Sequence, residues 1–393
     1  MWKLTKVAAV AAALAAAVAA HAGEVEVLHY WTSGGEAKSA AELKKMMQAK
    51  GHTWRDFAVA GGGGDSAMTV LKSRVISGNP PSAAQVKGPA IQEWASEGVL
   101  GNMDALAKSE KWDEALPKVV ADVMKYKGNY VAAPVNVHRV NWIWASSDAL
   151  KKAGVAAMPK TWDEFFAAAD KLKAAGLIPV AHGGQNWQDF TTFESVVLGV
   201  GGPKFYQDAL VKLDDKALTS DTMKKSLETF RRIKTYTDPG APGRDWNLAT
   251  AMLIQGKAGF QLMGDWAKGE FIAAGKAPGK DFMCAAAPGT ANAFTFNVDS
   301  FILFKLKDAA AQKAQSDLAS AIMSPGFQEV FNLNKGSIPV RAGQSMDKFD
   351  DCAKASAKDF ADTAKSGGLV PSVAHGMAIA PATEGAIKDA VSQ

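Results

Sequence analysis

The chain has 393 residues, of which 44 are Lys or Arg and 40 are Asp or Glu, and the two signs are interspersed along its length. Because no basic block is present, nucleic acid finds no electrostatic footprint, and we expect no nucleic-acid partner. A single compact core rarely serves a chain this long, which favours two lobes. After the N-terminal segment, no stretch is apolar for long enough to span a bilayer.

The N-terminal segment, residues 1–22, has the three regions of a secretory signal peptide. Lys3 and Lys6 supply the positive start, Val7–Ala19 is a run of Val, Ala and Leu, and Ala20-His21-Ala22 matches a small-x-small cleavage site. The apolar run is shorter than the about 20 residues of a transmembrane helix. An uncleaved membrane-anchoring segment is the alternative. We expect cleavage after this segment and a mature protein in the periplasm.

The first part of the chain alternates strands with helices. The predicted strands are Val25–Tyr30, Trp54–Ala60 and a short one that ends in Gln85-Val-Lys87, and the predicted helices are Ala37–Ala49, Asp65–Ser77 with Asp65 as its cap, and Pro89–Glu97. Strand, loop and helix repeated three times predict a mainly parallel α/β sheet, in which ligands gather at the carboxyl ends of strands. Trp31, Glu36 and Lys87 all lie at or just after such ends.

The second part of the chain continues the alternation. The predicted elements include a crossing segment Tyr130–Asn136, a strand Asn141–Trp144, a helix that begins with a Thr161–Glu164 capping box, a helix Leu248–Gln255, a strand Ala258–Met263, a returning strand Asn297–Phe304, and helices Ala309–Asn332, Ala353–Ala364 and Thr383–Val391. Trp142, Trp144 and Trp162 occupy core-like contexts in these elements. We interpret those three rings as buried packing.

The chain has two cysteines, Cys284 and Cys352. In an oxidising compartment an even pair predicts a disulfide, and the chain-entropy model assigns a crosslink of this span about 4 kcal/mol. Two buried free thiols are the alternative. No His or Cys clusters near either residue, so we expect no metal site there.

Two features of the sequence could indicate a different function, either phosphate binding or glycoside hydrolysis. Gly61–Gly64, before Asp65 and Ser66, could cradle a phosphate on its amide groups, but it lacks the Lys-Ser/Thr ending of a P-loop, and a flexible turn is the better interpretation. Glu36 and Asp299 could form the acid/base pair of a glycoside hydrolase, although nothing in the sequence fixes their separation. The histidines have no metal-binding spacing, and no metal or cofactor is expected.

Eight separate runs resemble the extracellular sugar-binding proteins of bacterial ABC importers, close to the glucose-binding branch of proteobacteria. The runs are Trp31-Thr-Ser-Gly-Gly-Glu36, Val59-Ala-Gly-Gly-Gly-Gly-Asp65-Ser66, Pro134-Val-Asn-Val-His138-Arg139, Pro159-Lys-Thr-Trp-Asp-Glu-Phe165, Gly243-Arg-Asp-Trp-Asn-Leu-Ala249, Met263-Gly-Asp-Trp266, Phe296-Asn-Val-Asp299-Ser300 and Asn334-Lys-Gly-Ser-Ile-Pro339. The resemblance covers essentially the whole mature chain.

The resemblance implies an α/β periplasmic-binding-protein fold with two lobes, a hinge and a ligand cleft between the lobes. The approximate lobes are residues 23–136 plus 297–340, and residues 139–294 plus 341–393. The family pattern implies the ligand-binding set Tyr30, Trp31, Glu36, Gln85, Lys87, Trp246, Trp266, Asn297, Asp299, Lys335 and His375. Within this set the pattern gives sugar stacking to Trp31, Trp246 and Trp266, and hydroxyl recognition to most of the others.

The chemistry fits a sugar. The face of a pyranose presents C–H groups to an aromatic ring, and its hydroxyls both donate to and accept from charged side chains. We therefore predict a monomeric periplasmic receptor that binds a monosaccharide, with glucose first, and passes it to an ABC permease with a cytoplasmic ATPase. The secreted glycoside hydrolase remains the rival, and a receptor for a charged solute is a weaker third alternative because the set mixes both signs of charge.

Overall fold

The computed structural model describes residues 22–393, so the predicted signal peptide lies outside the described residues except for Ala22. Within the described range, no helix combines the length and apolarity that a membrane crossing requires. The strands are β1 Glu24–His29, β2 Thr53–Ala58, β3 Ala83–Gln85, β4 Lys125–Tyr126, β5 Asn129–Tyr130, β6 Ala132–Pro134, β7 His138–Arg139, β8 Trp142–Ser146, β9 Ile178–Val180, β10 Ala258–Leu262, β11 Phe282–Ala286, β12 Phe294–Asn297, β13 Ser300–Leu303 and β14 Leu369–Pro371.

Helices separate most of these strands along the described chain. They are α1 Gly34–Ala49, α2 Asp65–Ile76, α3 Pro89–Ser96, α4 Asp104–Ser109, α5 Trp112–Ala115, α6 Lys118–Val123, α7 Ser147–Lys152, α8 Trp162–Ala174, α9 Asn186–Tyr206 (followed by a π-helical turn, Gln207–Val211), α10 Asp215–Leu218, α11 Asp221–Lys234, α12 Trp246–Ile254, α13 Ala267–Ala273, α14 Ala309–Met323, α15 Pro325–Lys335, α16 Asp351–Ser366 and α17 Pro381–Ser392.

The first sheet has the strand order β2-β1-β3-β13-β6. β1 pairs in parallel with β2 and β3, whereas β13 pairs antiparallel with both β3 and β6. Four of the five strands therefore run in one direction, which confirms the prediction of a mainly parallel sheet, and only the returning strand β13 is reversed. The carboxyl ends of β1, β2 and β3 and the amino end of β13 consequently meet at one edge of this sheet.

The second sheet repeats this arrangement in the order β11-β8-β10-β9. Here β8 is the reversed strand, since it pairs antiparallel with β10 and β11 while β10 runs parallel to β9. A small connecting sheet, β14-β12-β7, lies where the chain passes between the two larger sheets. β7 leads from the first sheet into β8, and β12 leads back into β13, so two strands of the connecting sheet act as crossings.

Three local predictions were wrong. The helix predicted as Ala309–Asn332 is divided into α14 and α15, because Ser324 is extended and Pro325 starts a new helix. Asp65 does not cap α2: the cap position is Gly64, in the left-handed region with φ of 89°, and Asp65 is the first helical residue. A side chain at that cap would be strained, which is why a glycine stands there. The single returning strand Asn297–Phe304 is divided into β12 and β13, with Val298 and Asp299 between them. Asp299 lies in this break, and its backbone carbonyl still accepts from the Val135 N–H at 2.7 Å.

The cysteines and tryptophans behave largely as the sequence predicts. Cys284 of β11 and Cys352 of α16 form a disulfide with a Cα–Cα distance of 6.2 Å, which ties the second sheet to the C-terminal region. Trp142 and Trp144 are buried, whereas Trp162 is only half-buried against Phe165 and Phe166.

Candidate ligand-binding cleft

One cavity of about 240 Å³ lies between the facing edges of the two large sheets. All eleven residues of the predicted ligand-binding set line it: Tyr30, Trp31, Glu36, Gln85, Lys87, Trp246, Trp266, Asn297, Asp299, Lys335 and His375. We call the lining carried by the first sheet and its helices the first wall (Tyr30, Trp31, Glu36, Gly61–Gly63, Gln85, Lys87, Asp299 and Lys335). The second wall is Trp187, Asp245, Trp246, Asn247, Trp266 and His375.

A buried ion pair occupies one end of the first wall. Glu36, in the first turn of α1, accepts a hydrogen bond of 2.7 Å from the ammonium of Lys335 at the end of α15. Each charge stands at the helix end that favours its sign, since helix N-termini stabilise anions and C-termini stabilise cations. Glu36 also accepts from the Ser33 backbone N–H at 3.5 Å. The carboxylate is thus fixed from two sides while it faces the cavity.

Asp299 is the most heavily supported carboxylate of the cavity. Its Oδ1 accepts from Gln85 Nε2 at 3.2 Å, and its Oδ2 accepts from Asn136 Nδ2 at 3.1 Å and lies 2.8 Å from His138 Nε2. Burial by itself raises the pKa of this carboxyl, but His138, Lys335 and Lys87 outweigh burial and hold the pKa far below its usual range. Asp299 is therefore a permanent anion and hydrogen-bond acceptor.

His138 joins the two sides of the cleft through the crossing strand β7. Its Nε2 faces Asp299 beside the first sheet, and its Nδ1 contacts the Asp265 carboxylate in the loop after β10 of the second sheet. Burial lowers the pKa of the imidazole, but the two carboxylates outweigh burial and raise it above 6.5. The ring also stands edge-on to Trp266, with the centroids 5.1 Å apart. His138 thus positions an anion of one wall and an aromatic ring of the other.

Among the polar groups that line the cavity, those of Asn297 and Lys87 have no partner within the described chain. The Asn297 side-chain oxygen is buried and receives no hydrogen bond. The Lys87 ammonium forms neither a hydrogen bond nor an ion pair with any described residue, and it lies over the Tyr30 ring, 5.9 Å from the ring centroid. Burial lowers the pKa of Lys87, against the opposing effect of Asp299 and Glu384. An unpaired donor and an unpaired acceptor in one cavity are what a polar ligand would satisfy.

The second wall is mainly aromatic. Trp246 begins α12, Trp266 precedes α13, and Trp187 is the second residue of α9. The His375 ring lies edge-on to Trp266 at 4.8 Å and to Trp187 at 6.0 Å, and its Nε2 is 2.9 Å from Thr191 Oγ1. Burial first, and then the nearby charges of Lys87 and His138, lower the pKa of His375 well below 6.5. This imidazole is therefore neutral.

The loop that carries His375 is held by a buried carboxylate outside the cavity. Glu194 of α9 accepts from the Val373 and Ala374 backbone N–H groups at 3.0 Å each, from Ser372 Oγ at 2.6 Å and from the Tyr206 hydroxyl at 2.8 Å. Burial raises the pKa of Glu194 to about 7, against the effect of these donors.

The structure also changes the weight of individual residues. Trp31 lines the cavity, but its ring is only 2% exposed and packs on Phe301 and Phe331, so much of it belongs to the core. The sequence reasoning missed His138, because an isolated histidine has no metal-binding spacing, and Trp187, because no predicted strand precedes it. The strand that does precede Trp187, β9, was not among the predicted elements. Gly61–Gly63, interpreted as a turn, line the cavity as well.

Neither carboxylate of the hydrolase alternative is set up as a general acid. A glycosidase acid needs a raised pKa, whereas that of Asp299 is lowered and Glu36 is paired with Lys335. Within residues 22–393, no group of His, Cys, Asp or Glu has the arrangement of a metal site.

Comparison with known proteins supports a binding role. The model of the bacterial extracellular solute-binding protein family matches residues 30–320. The whole chain aligns at 50% identity with a probable sugar-binding periplasmic protein of Rhizobium meliloti (strain 1021), 94% of which it covers. Among solved structures, a chitin oligosaccharide binding protein has a TM-score of 0.79 at 18% identity, with 94% of this chain and 93% of that one covered. AcbH, a solute receptor described as preferring β-D-galactopyranose exclusively, has a TM-score of 0.78 at 19% identity over the same shares.

The two α/β sheets, their connecting strands and the cleft between them define a periplasmic-binding-protein fold. The chain belongs to the bacterial extracellular solute-binding protein family, whose members bind solutes rather than transform them. The glycoside hydrolase alternative is accordingly not retained.

Proposed function

We propose that this chain is the substrate-binding protein of an ABC sugar importer and binds one monosaccharide, with glucose first, in the cleft. The signal peptide, residues 1–22, directs it to the periplasm, where it acts as a monomer and delivers the sugar to permease subunits driven by a cytoplasmic ATPase. The lobes that close on the sugar are residues 23–136 plus 297–340, and residues 139–294 plus 341–393. The sugar-binding name of the Rhizobium relative supports the solute class.

The main support for the proposal is that polar groups without hydrogen-bond partners line a cavity that also contains tryptophan rings. The Asn297 oxygen lacks a donor and the Lys87 ammonium lacks an acceptor, and both residues line the cavity together with Trp246 and Trp266. A sugar hydroxyl is donor and acceptor at once, and a pyranose face packs on an indole ring. A sugar therefore fills both requirements, whereas a purely apolar ligand would leave the polar groups buried without partners.

The charges of the lining favour a neutral sugar. The acids Glu36, Asp245 and Asp299 are matched by Lys87, Lys335 and the His138 imidazole, whose pKa is raised by two carboxylates against the effect of burial. An anionic or cationic ligand would add an unmatched charge to a buried site, which costs several kcal/mol in proteins (about 3–5).

The size of the cavity favours one sugar ring. Its volume of about 240 Å³ is just below the ~300–1,000 Å³ of typical small-molecule sites. The two structural neighbours differ in their ligands, since one is named for chitin oligosaccharide and the other for galactopyranose. The fold therefore admits both sizes, and the argument for a monosaccharide rests on the volume of this cavity.

Calorimetric titration of the purified mature protein tests the proposal. The panel consists of the neutral sugars glucose, galactose, xylose and maltose. Gluconate and glucose 6-phosphate are included as anionic analogues of glucose. We expect one glucose bound per chain at micromolar concentration or below, and no binding of the two anions. Binding of maltose without glucose would overturn the monosaccharide assignment. Binding of an anion more tightly than glucose would overturn the neutral-ligand argument.

A further inference from the structure

The glycine run between β2 and α2 contains one glycine that its backbone conformation does not require. Gly61, Gly63 and Gly64 have φ values of 133°, 80° and 89°, in the region that favours glycine, whereas Gly62 does not. A side chain at Gly62 is excluded by space instead. An added Cβ would lie 2.7 Å from Trp187 Cζ2 and 3.1 Å from Trp187 Cε2, closer than real Cβ contacts.

The Trp187 ring cannot easily move out of the way. Its Nε1 donates a hydrogen bond of 2.9 Å to Gln185 Oε1, and Gln185 Nε2 donates in turn to Asp245 Oδ1 at 2.7 Å. The ring is also edge-on to His375, with the centroids 6.0 Å apart. The ring is 4% exposed and is therefore a fixed plate of the second wall.

The contact between Gly62 and Trp187 joins the two walls. Gly62 belongs to the loop that follows β2 of the first sheet, and Trp187 belongs to the helix that follows β9 of the second sheet. Beside it, the Asp65 carboxylate of α2 lies 3.6 Å from the Lys388 ammonium of α17. Both contacts exist only while the two sheets are close together.

We propose that Gly62 is an affinity-determining position, because its bare backbone lies against the Trp187 indole and so lets the walls meet over the ligand. This inference rests on the proposed function, since the contact affects affinity only if the walls close on a sugar. Gly62 has no side chain to contact the sugar. It acts by allowing the Trp187 ring to approach the backbone of the first wall. The glycine run is then part of the closing surface rather than a phosphate cradle.

The first experiment measures sugar affinity and dissociation rate for Gly62→Ala. The added methyl opposes closure, so we expect the dissociation constant to rise about tenfold, which is about 1.4 kcal/mol in binding free energy, with most of the change in the dissociation rate. The unliganded melting temperature is expected to stay within about 2 °C, because the ligand-free protein can relieve the clash with Trp187 by moving the two walls apart. Gly385→Ala is the matched control: it lies in α17, an added Cβ meets nothing within 4 Å, and its affinity should equal that of the natural chain.

A double-mutant cycle then asks whether Gly62 acts through Trp187. In a Trp187→Ala background, where the indole is gone, Gly62→Ala should change the dissociation constant by less than about twofold. An equal loss in both backgrounds would show that the methyl acts elsewhere, and no loss in the natural background would show that the contact is unimportant. Either result overturns the proposal.

Failure of the inference can be told apart from failure of the proposed function. If the natural chain binds no sugar of the panel, the proposed function fails, and small-angle scattering of the ligand-free proteins judges the contact. Gly62→Ala is then expected to have a larger radius of gyration than both the natural chain and Gly385→Ala. Equal radii for the three proteins would overturn the role of Gly62.

Discussion

The two walls of the cleft differ in their chemistry. The first wall holds Glu36 and Lys335 in one ion pair and Asp299 in a second network, while its Lys87 ammonium has no hydrogen bond or ion pair within the described chain. The second wall presents the rings of Trp187, Trp246 and Trp266, with one neutral imidazole. Hydrogen bonds are directional and therefore distinguish between arrangements of sugar hydroxyls, whereas an aromatic ring face packs against any flat apolar surface. We propose that ligand selectivity comes mainly from the first wall and closure energy mainly from the second.

The largest effect on stability should come from a bond that serves neither wall. Replacing both cysteines, Cys284→Ser with Cys352→Ser, removes the link between β11 and α16. The free energy of unfolding is expected to fall by about 4 kcal/mol in urea titrations, because the crosslink restricts the unfolded chain. Sugar affinity should stay within about twofold, since neither cysteine lines the cavity. Loss of affinity in the folded double variant would mean that the walls depend on this link.

The second prediction concerns the support of the second wall. Glu194 has a pKa raised from 4.5 to about 7, so the folded protein holds this proton more tightly than the unfolded chain. The resulting stability is complete below pH 4.5 and is lost as the pH rises through about 7, by about 3 kcal/mol in all. Glu194→Gln imitates the protonated acid, since its oxygen can accept from Val373 and Ala374 while its amide donates to Ser372.

Urea titrations at pH 5 and pH 8 check this expectation. The Gln variant should match the natural chain at pH 5 and exceed its free energy of unfolding at pH 8. A stability difference that is the same at both pH values would contradict the assignment of this titration to Glu194. Sugar affinity is measured in parallel, because His375 stands on the loop that Glu194 holds.

The third prediction removes the anion of the first wall. Asp299→Asn keeps the shape of the side chain but leaves His138, Lys87 and Lys335 without its charge. Because charge-assisted bonds are the strong ones and an uncompensated buried charge is costly, we expect about a 100-fold loss of sugar affinity, or about 2.7 kcal/mol. Calorimetry measures the loss. Asp163→Asn, at an exposed residue in the first turn of α8, is the control and should bind normally.

How far the sequence predicts this site depends on the kind of residue. Trp31 and Lys87 follow strand ends, which local patterns reveal, and the parallel direction of the sheet then brings those ends together. The pairing of Glu36 with Lys335 spans 299 positions, and no local pattern encodes it. The family resemblance alone placed Lys335 and His375 in the predicted ligand-binding set. A resemblance can identify such residues even where the sequence does not reveal what they pair with.

The residues that the sequence reasoning missed have a common physical reason. His138 and Trp187 act through neighbours from distant segments, Asp299 and Asp265 for the first and the glycine run for the second. A lone His or Trp gives no sign of such neighbours before the chain is folded. The error at Asp65 has a different reason. Asp is a favoured capping residue, but the turn requires a left-handed backbone at the cap position, and Gly64 occupies it.

The smallest expected effect separates the aromatic wall from the aromatic core. Trp266→Leu removes a ring that lies between His138 and His375, and we expect about a tenfold loss of affinity, or about 1.4 kcal/mol. Trp162→Leu is the matched change in α8, away from the cavity, where the ring packs on Phe165. It should lower the melting temperature and leave affinity within about twofold. If both variants lose affinity equally, tryptophan burial rather than ring placement sets binding, and the contrast between the walls is lost.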